Sequence, residues 1–185
     1  LRRRIHELAG TDSTGITICT FHSLALRLLG ISAADTFPRG AEHDKDAQSK
    51  FQEIIPRATA LLDGVAKVPG MDKEQIFNSL IGSWSHFLID EYQDVDEQQY
   101  AFISAIAGRV TKNPDTKLSI MAVGDDDQNI YNFRGASTRF IRSFEEDYKA
   151  KTEHLTENYR STTNIISASN HLIGQNRDRM KTDHP

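Results

Sequence analysis

Short apolar runs alternate along the chain with stretches whose apolar residues recur at helical spacing, the pattern of an α/β domain built on a parallel sheet. Ile16 to Thr20 reads as a strand, followed by a helix through Leu29 that carries Phe21, Leu24 and Leu28 on one face and stops at Gly30. Phe87 to Ile89 is a second apolar run and Leu118 to Val123 a third. Between them a helix runs from Asp94 to about Arg109, with Phe102, Ile103, Ile106 and Val110 as its stripe and Gly108 at its fraying end. Ser137 is placed to cap a helix bearing Phe140, Ile141, Phe144 and Tyr148. His154 to Thr156 is a short strand candidate, and Ser161 to Thr163 offer caps for a last helix with Ile165, Ile166, Leu172 and Ile173.

The section from 31 to 85 differs in character and reads as a helical insertion with no good strand. Phe51, Ile54, Ile55, Ala58, Leu61 and Leu62 keep helical phase, and Pro56 is expected to kink or divide that helix. Asp72 with Gln75 resembles a capping box for a helix carrying Ile76, Phe77, Leu80, Ile81 and Trp84, with Trp84 as a packing residue. His43 with Asp44 and Asp46 reads as a solvated loop rather than a metal site.

The run at Phe87 ends abruptly in two adjacent carboxylates, Asp90 and Glu91. Strands buried in parallel sheets read as continuous apolar runs, and open α/β sheets bind ligands just beyond the carboxyl ends of their strands. One carboxylate there can hold Mg²⁺, while its neighbour polarises an attacking water. The bland alternative is a strand that ends in a polar turn.

The run ending at Val123 has a similar finish, Gly124-Asp125-Asp126-Asp127-Gln128-Asn129-Ile130-Tyr131-Asn132-Phe133-Arg134-Gly135. Packing gives no reason for three successive acids at such a place. Gly124 permits a tight turn, and the Gln128 amide can both donate to and accept from phosphate or water. Tyr131, Phe133 and Arg134 combine flat π faces with a guanidinium, the equipment for stacking bases and holding phosphate in a single strand.

These two blocks, with Thr20-Phe21-His22-Ser23-Leu24 upstream and Leu155-Thr156-Glu157-Asn158-Tyr159-Arg160-Ser161-Thr162 downstream, closely resemble the UvrD/Rep family of superfamily 1 DNA helicases. Asp90 to Asp94 resembles motif II, Val123 to Ala136 motif III, Asn158 to Ser161 motif IV and Thr20 to Ser23 motif Ib. The resemblance covers residues 1 to 30 and about 85 to 185 and leaves the middle unassigned. It implies a RecA-like P-loop NTPase domain with an incomplete parallel sheet. Residues 1–30 and 86–185 would form part of the first motor domain, and 31–85 a short version of the family's 1B insertion.

By the same resemblance Asp90 would bind Mg²⁺, and Glu91, beside it at the metal, would be the general base for water attacking the terminal phosphate of ATP. Gln128 and Arg160 would contact that phosphate, and Tyr159 would stack near the adenine. Tyr131, Phe133 and Arg134 resemble the family's contacts to single-stranded DNA. At position 133 the family often has tryptophan; phenylalanine keeps a stacking face but gives less area and no indole donor. Thr20 and His22 resemble DNA-backbone contacts, although a Thr and a His at a strand end serve about as often as local caps.

Phosphate-binding ATPases need a Gly-x-x-x-x-Gly-Lys-Ser/Thr loop, and no Gly-Lys pair occurs in the chain. Leu1 to Ile5 resembles the helix that follows family motif Ia, and motifs V and VI are not found. The expectation is a piece of a larger helicase, without its first strand and phosphate loop, that hydrolyses ATP negligibly by itself.

Composition fits this picture without suggesting it. A chain of 185 residues suffices for one domain with a small insertion, and 38% hydrophobic residues with a mean hydropathy of -0.51 read as soluble. No apolar run approaches the roughly 20 residues that span a bilayer, and the first residues, basic and polar with no apolar segment following, do not read as a signal peptide. Cys19, the single cysteine, reads as a small buried residue of a strand, consistent with a reducing cytoplasm. A net charge of -4 opposes a dedicated nucleic-acid binder, so charge has to be read locally. Arg134, Arg139 and Arg142 follow the third run, and Arg2, Arg3 and Arg4 read as a solvated face.

The function these readings imply is ATP-driven movement along single-stranded DNA, 3′ to 5′ by family resemblance, with unwinding of duplex in repair or replication. Repair or replication proteins are its expected partners. Two alternatives remain: a helicase subunit of a recombinational helicase-nuclease, and a non-catalytic DNA-binding module.

Overall fold

The computed structural model describes residues 2–32, 45–66, 81–108, 118–131, 133 and 135–181. The Asp72/Gln75 capping box and most of its helix, His43 and Asp44, Arg109 and Val110, and Arg134 lie outside them. The chain forms two compact units, Leu1–Leu80 and Ile81–Pro185. No helix among the described residues is long and apolar enough to cross a membrane.

In the first unit, α1 (Arg2–Ala9) buries no residue, and Arg3 pairs with Glu7 one turn on at 2.8 Å. The stretch 16–20, expected as a strand, carries no strand pairing within its own unit among the described residues, and its ends, Ile16 and Thr20, have extended backbone. Alternation identifies extended backbone, whereas a strand also needs a neighbour for its N–H and C=O groups. Cys19, expected to be buried, is exposed. α2 (Phe21–Leu28) starts at Thr20, whose Oγ1 accepts from the Ser23 N–H at 3.3 Å, and ends before Gly30 at φ +66.

α3 (Lys45–Leu62) is one continuous helix of 18 residues with Pro56 inside it, so Pro56 does not divide it. Its buried face of Ile54, Ile55, Ala58, Leu61 and Leu62 packs with Leu24, Ala25, Leu26 and Leu28 of α2 to make this unit's core. Burial of the five residues of that face outweighs one lost backbone bond at Pro56. Phe51 falls outside that face and is half exposed, its ring stacked on His22 at 3.9 Å.

In the second unit, β1 (His86–Ile89) and β2 (Ser119–Ala122) pair in parallel, with Leu88 opposite Met121 and Ile89 opposite Ala122. The expected parallel pairing is present. Burial on both faces is not: Ile89 is buried, while Leu88 and Met121 are 67% and 55% exposed. Val123 extends the pairing by donating to the Ile89 carbonyl at 2.8 Å and accepting from the Tyr92 N–H at 2.9 Å.

α4 (Glu97–Ile106) begins at Asp96, whose carboxylate accepts from the Gln99 N–H at 2.8 Å, and Gly108 follows its end at φ +67. Phe102, Ile103 and Ile106 are fully buried as the stripe required, together with Tyr92 and Val95. α5 (Arg139–Tyr148) packs against this core through Phe140, which stacks on Tyr100 at 4.4 Å, and Phe144, edge-on to Tyr92 at 5.1 Å. Tyr100 also donates its hydroxyl to Asp147 at 2.6 Å.

Two expectations fail elsewhere. Ile81 and Trp84 belong to a turn closed by Trp84 N–H to Ile81 O rather than to a helix. His154 to Thr156 forms no strand, and α6 (Thr163–Ile173) starts at Thr162 without a side-chain cap and buries none of its residues.

Candidate functional site

β1 ends at Ile89, and the next two residues are the adjacent acids. Asp90 is exposed, and its Oδ1 accepts from the Glu91 N–H at 3.1 Å. Glu91 is also exposed and adopts a left-handed backbone, φ 53 and ψ 44, a region that L residues with a Cβ seldom occupy. That turn stops the strand and starts the short 3-10 turn Tyr92–Asp94. Two exposed carboxylates at the carboxyl end of a parallel strand fit a Mg²⁺ site, since this ion commonly takes one or two protein carboxylates and completes its shell with water and phosphate.

Gln93 lies beneath them, 1% exposed, and sequence reasoning gave it no role. Its Nε2 donates to Glu91 Oε2 at 2.7 Å, and its Oε1 accepts from the Asp125 N–H at 3.1 Å. The Asn129 side-chain amide donates to the Gln93 backbone carbonyl. One buried residue therefore joins the loop after β1 to the loop after β2. The only signal for it was its position among acids, because a single 3-10 turn has no periodicity to read.

Gly124 is explained by the same contact. A Cβ at this position would lie 2.8 Å from Gln93 Oε1, 2.9 Å from Ile141 Cδ1 and 3.1 Å from the Gln93 nitrogen. Close approach, not the tight turn expected from sequence, is what requires glycine; its φ is not in the left-handed region.

The loop after β2 contains the 3-10 turn Asp126–Gln128, started by Asp125. Asp125 Oδ2 accepts from Gln128 Nε2 at 2.9 Å, and its Oδ1 accepts from the Asp127 N–H at 3.1 Å. Oxygens of Asp125, Asp126 and Asp127 lie within 4.8 Å of one another, a spacing compatible with a metal ion. Cationic side chains answer these charges. Arg179 grips Asp127 with Nε and Nη2 at 2.7 to 3.1 Å, Lys181 reaches Asp125 at 2.5 Å, and Arg142 lies 3.6 Å from Asp126.

The hydrogen bond from Arg179, helped by Lys181 and opposed by burial, holds the Asp127 carboxyl below its ordinary range. Burial acts to lower the Lys181 ammonium, and its bonds to Asp125 and Asp127 outweigh that and raise it. Asp94 moves the other way: burial, then the nearby Glu91 charge, raises its carboxyl. Its Oδ1 and the Asn129 Oδ1 are buried without a hydrogen-bond partner among the described residues.

Beyond Gln128 the loop turns apolar and outward. Ile130 and Phe133 are 71% and 78% exposed, and the Tyr131 and Phe133 rings lie 6.2 Å apart at 46°. Three exposed apolar side chains within a few residues form a surface suited to stacking.

Tyr159 and Arg160 are exposed, outside the network centred on Gln93. Tyr159 hydrogen-bonds Glu157, which raises its phenol. Asn158 Oδ1 accepts from the Arg160 and Ser161 N–H groups at 2.9 Å, fixing the turn before α6. Thr20 and His22 belong to the first unit, where Thr20 caps α2 and His22 stacks on Phe51.

Residues 40–149 match the family described as the UvrD/REP helicase N-terminal domain. This match takes in most of the middle section that the motif resemblance left unassigned and stops before Asn158. Over 137 residues the chain is 44% identical to DNA helicase II of Haemophilus influenzae, covering 74% of this chain and 17% of that protein. It is 45% identical over 130 residues to ATP-dependent DNA helicase UvrD1 of Mycobacterium tuberculosis, covering 70% and 16%. With DNA helicase II of Escherichia coli it shares 38% identity over 138 residues, 74% of this chain and 17% of that protein. The chain thus spans about a sixth of the length of the curated relatives it matches.

Proposed function

Because this chain belongs to the UvrD/REP helicase N-terminal domain family, we propose that the protein carrying it is an ATP-dependent DNA helicase that moves along single-stranded DNA, 3′ to 5′, and separates duplex in repair or replication. In this reading residues 1–30 and 86–185 form part of the first motor domain and 31–85 its helical insertion. The phosphate-binding loop that the reaction needs would come from another part of the protein.

The observation that carries this reading is the hydrogen-bonded path from Glu91 through Gln93 to Asp125 and Gln128. It links a carboxylate suited to general-base work with an amide suited to reading phosphate, in the loops that follow two neighbouring parallel strands. Asp90, with Glu91 beside it, would hold Mg²⁺, which when bound would supply positive charge against the phosphates. Glu91, oriented by Gln93, would take the proton from the attacking water. Gln128 would contact the terminal phosphate, Arg160 would stabilise the charge developing on it, and Tyr159 would stack near the base of ATP. Tyr131, Phe133 and Arg134 would hold bases and backbone of the single strand, with Thr20 and His22 as further backbone contacts. One loop would then touch both nucleotide and DNA, and its movement during cleft closure and opening would couple the two.

ATP hydrolysis by the full-length protein, with and without single-stranded DNA and beside its Glu91→Gln variant, tests the proposal. Strong DNA stimulation that the variant loses while still binding nucleotide is the expected result; no hydrolysis under either condition overturns it. Strand displacement from duplexes with a 3′ or a 5′ tail tests the direction. The 185-residue chain alone is expected to hydrolyse ATP negligibly.

A further inference from the structure

The loop after β2 and the segment after α6 meet residue by residue in opposite order. Asp127 takes the guanidinium of Arg179, Asp126 Oδ2 accepts from the backbone N–H of Met180 at 2.8 Å, and Asp125 takes the ammonium of Lys181. The Arg179 and Asp127 side chains are each 9% exposed, and those of Lys181 and Asp125 are 28% and 29% exposed. Arg142 tightens the arrangement from α5, bonding Asp178 at 2.5 Å while facing Asp126. Three adjacent carboxylates at this spacing repel one another, so the loop depends on these cations for its shape.

Asp125 is the point at which this arrangement reaches Gln128. One carboxylate oxygen accepts from Lys181 and the other from Gln128 Nε2. The side chain of Gln128 is thus oriented by a carboxylate that Lys181 holds in place. Lys181 also offsets the negative charge that would otherwise face any phosphate approaching Gln128.

We infer that Lys181, seated by the Arg179–Asp127 pair, is a positioning residue that sets the Gln128 side chain for phosphate contact. The inference rests on the reading of Gln128 as a phosphate-contacting residue and adds a control on it from a segment more than fifty positions away in sequence. It assigns the acidic triplet to an internal ion-paired clasp rather than to a metal ion.

A double-mutant cycle on single-strand-stimulated ATP hydrolysis by the full-length protein separates this role from plain structural support. Lys181→Met is expected to lower kcat about tenfold with little change in the KM for ATP, as for a group acting on the transition state. In a Gln128→Ala background the same substitution should lower kcat no further, and Lys181→Arg should restore most of the loss. If the losses of Lys181→Met and Gln128→Ala multiply, Lys181 does not act through Gln128 and the inference is overturned. Gln128→Ala with a wild-type rate overturns the role given to Gln128 as well, which distinguishes the two failures. If Lys181→Met does not fold, Lys181→Gln carries the same cycle.

Discussion

Gln93 and Glu91 are joined by a 2.7 Å hydrogen bond in which a buried amide holds an exposed carboxylate. The same amide's oxygen receives the Asp125 N–H, so both ends of the Gln93 side chain are engaged. Gln93→Leu fills a similar space but leaves the partly buried Asp125 N–H without its partner, a loss of about 1 kcal/mol. Denaturant unfolding should register it, and turnover should fall further than stability explains because Glu91 loses its orientation. A variant with wild-type stability and turnover would show that Gln93 links nothing.

Gly124→Ala should destabilise the second unit by about 1–3 kcal/mol, as overpacking does at a site whose neighbours include backbone. The added methyl meets the Gln93 nitrogen, which cannot rotate away, as well as Gln93 Oε1 and Ile141. Thermal unfolding of the full-length protein checks it. An unchanged midpoint would mean that the two loops separate at no cost.

Asp94 carries a carboxyl raised by burial and by Glu91. A raised carboxyl stabilises the fold below its unfolded value, about 3.9, and loses that contribution as pH rises through the folded value. At pH 7 the charged form is therefore a net burden. Asp94→Asn should raise the melting temperature at pH 7, and the gain should shrink toward zero as pH falls below about 4. A gain that persists in acid would assign the effect to packing instead.

Asp127 has the opposite sign, its carboxyl lowered chiefly by Arg179. Its contribution is present above the unfolded value, about 3.9, and disappears as pH falls through the lowered folded value. Arg179→Met should therefore lower the melting temperature at pH 7 and bring acid unfolding to a higher pH. Identical acid-unfolding profiles would count against the clasp.

Phe133→Ala should weaken single-strand binding by roughly tenfold, in line with about 1–3 kcal/mol for a stacked base. DNA-stimulated hydrolysis should fall more than the basal rate; fluorescence anisotropy and paired rate measurements read both. Equal loss of both rates would point to misfolding.

Helical stripes were legible because their residues meet a core formed by elements close in sequence. Phe102, Ile103 and Ile106 appear where the pattern put them, and the two runs ending in acid pair in parallel. Ile16 to Thr20 shows the limit of such a reading, because an apolar run reports extended backbone and says nothing about a partner strand. Pro56 does not divide α3 because the missing backbone bond is local, whereas burial of Ile54, Ile55 and Ala58 is shared along the helix. In the site, exposed acids and aromatics announce themselves by type. Gln93, Arg179 and Lys181 do not, since their roles arise from contacts across 32, 52 and 56 positions that no spacing rule encodes.

The left-handed backbone at Glu91 places a side chain with a Cβ where glycine or asparagine would be at ease, at about 1–2 kcal/mol against the fold. Selection for stability alone would replace it. The fold carries this carboxylate at the expense of its own robustness, and Glu91→Gly should yield a sturdier protein that no longer turns over ATP.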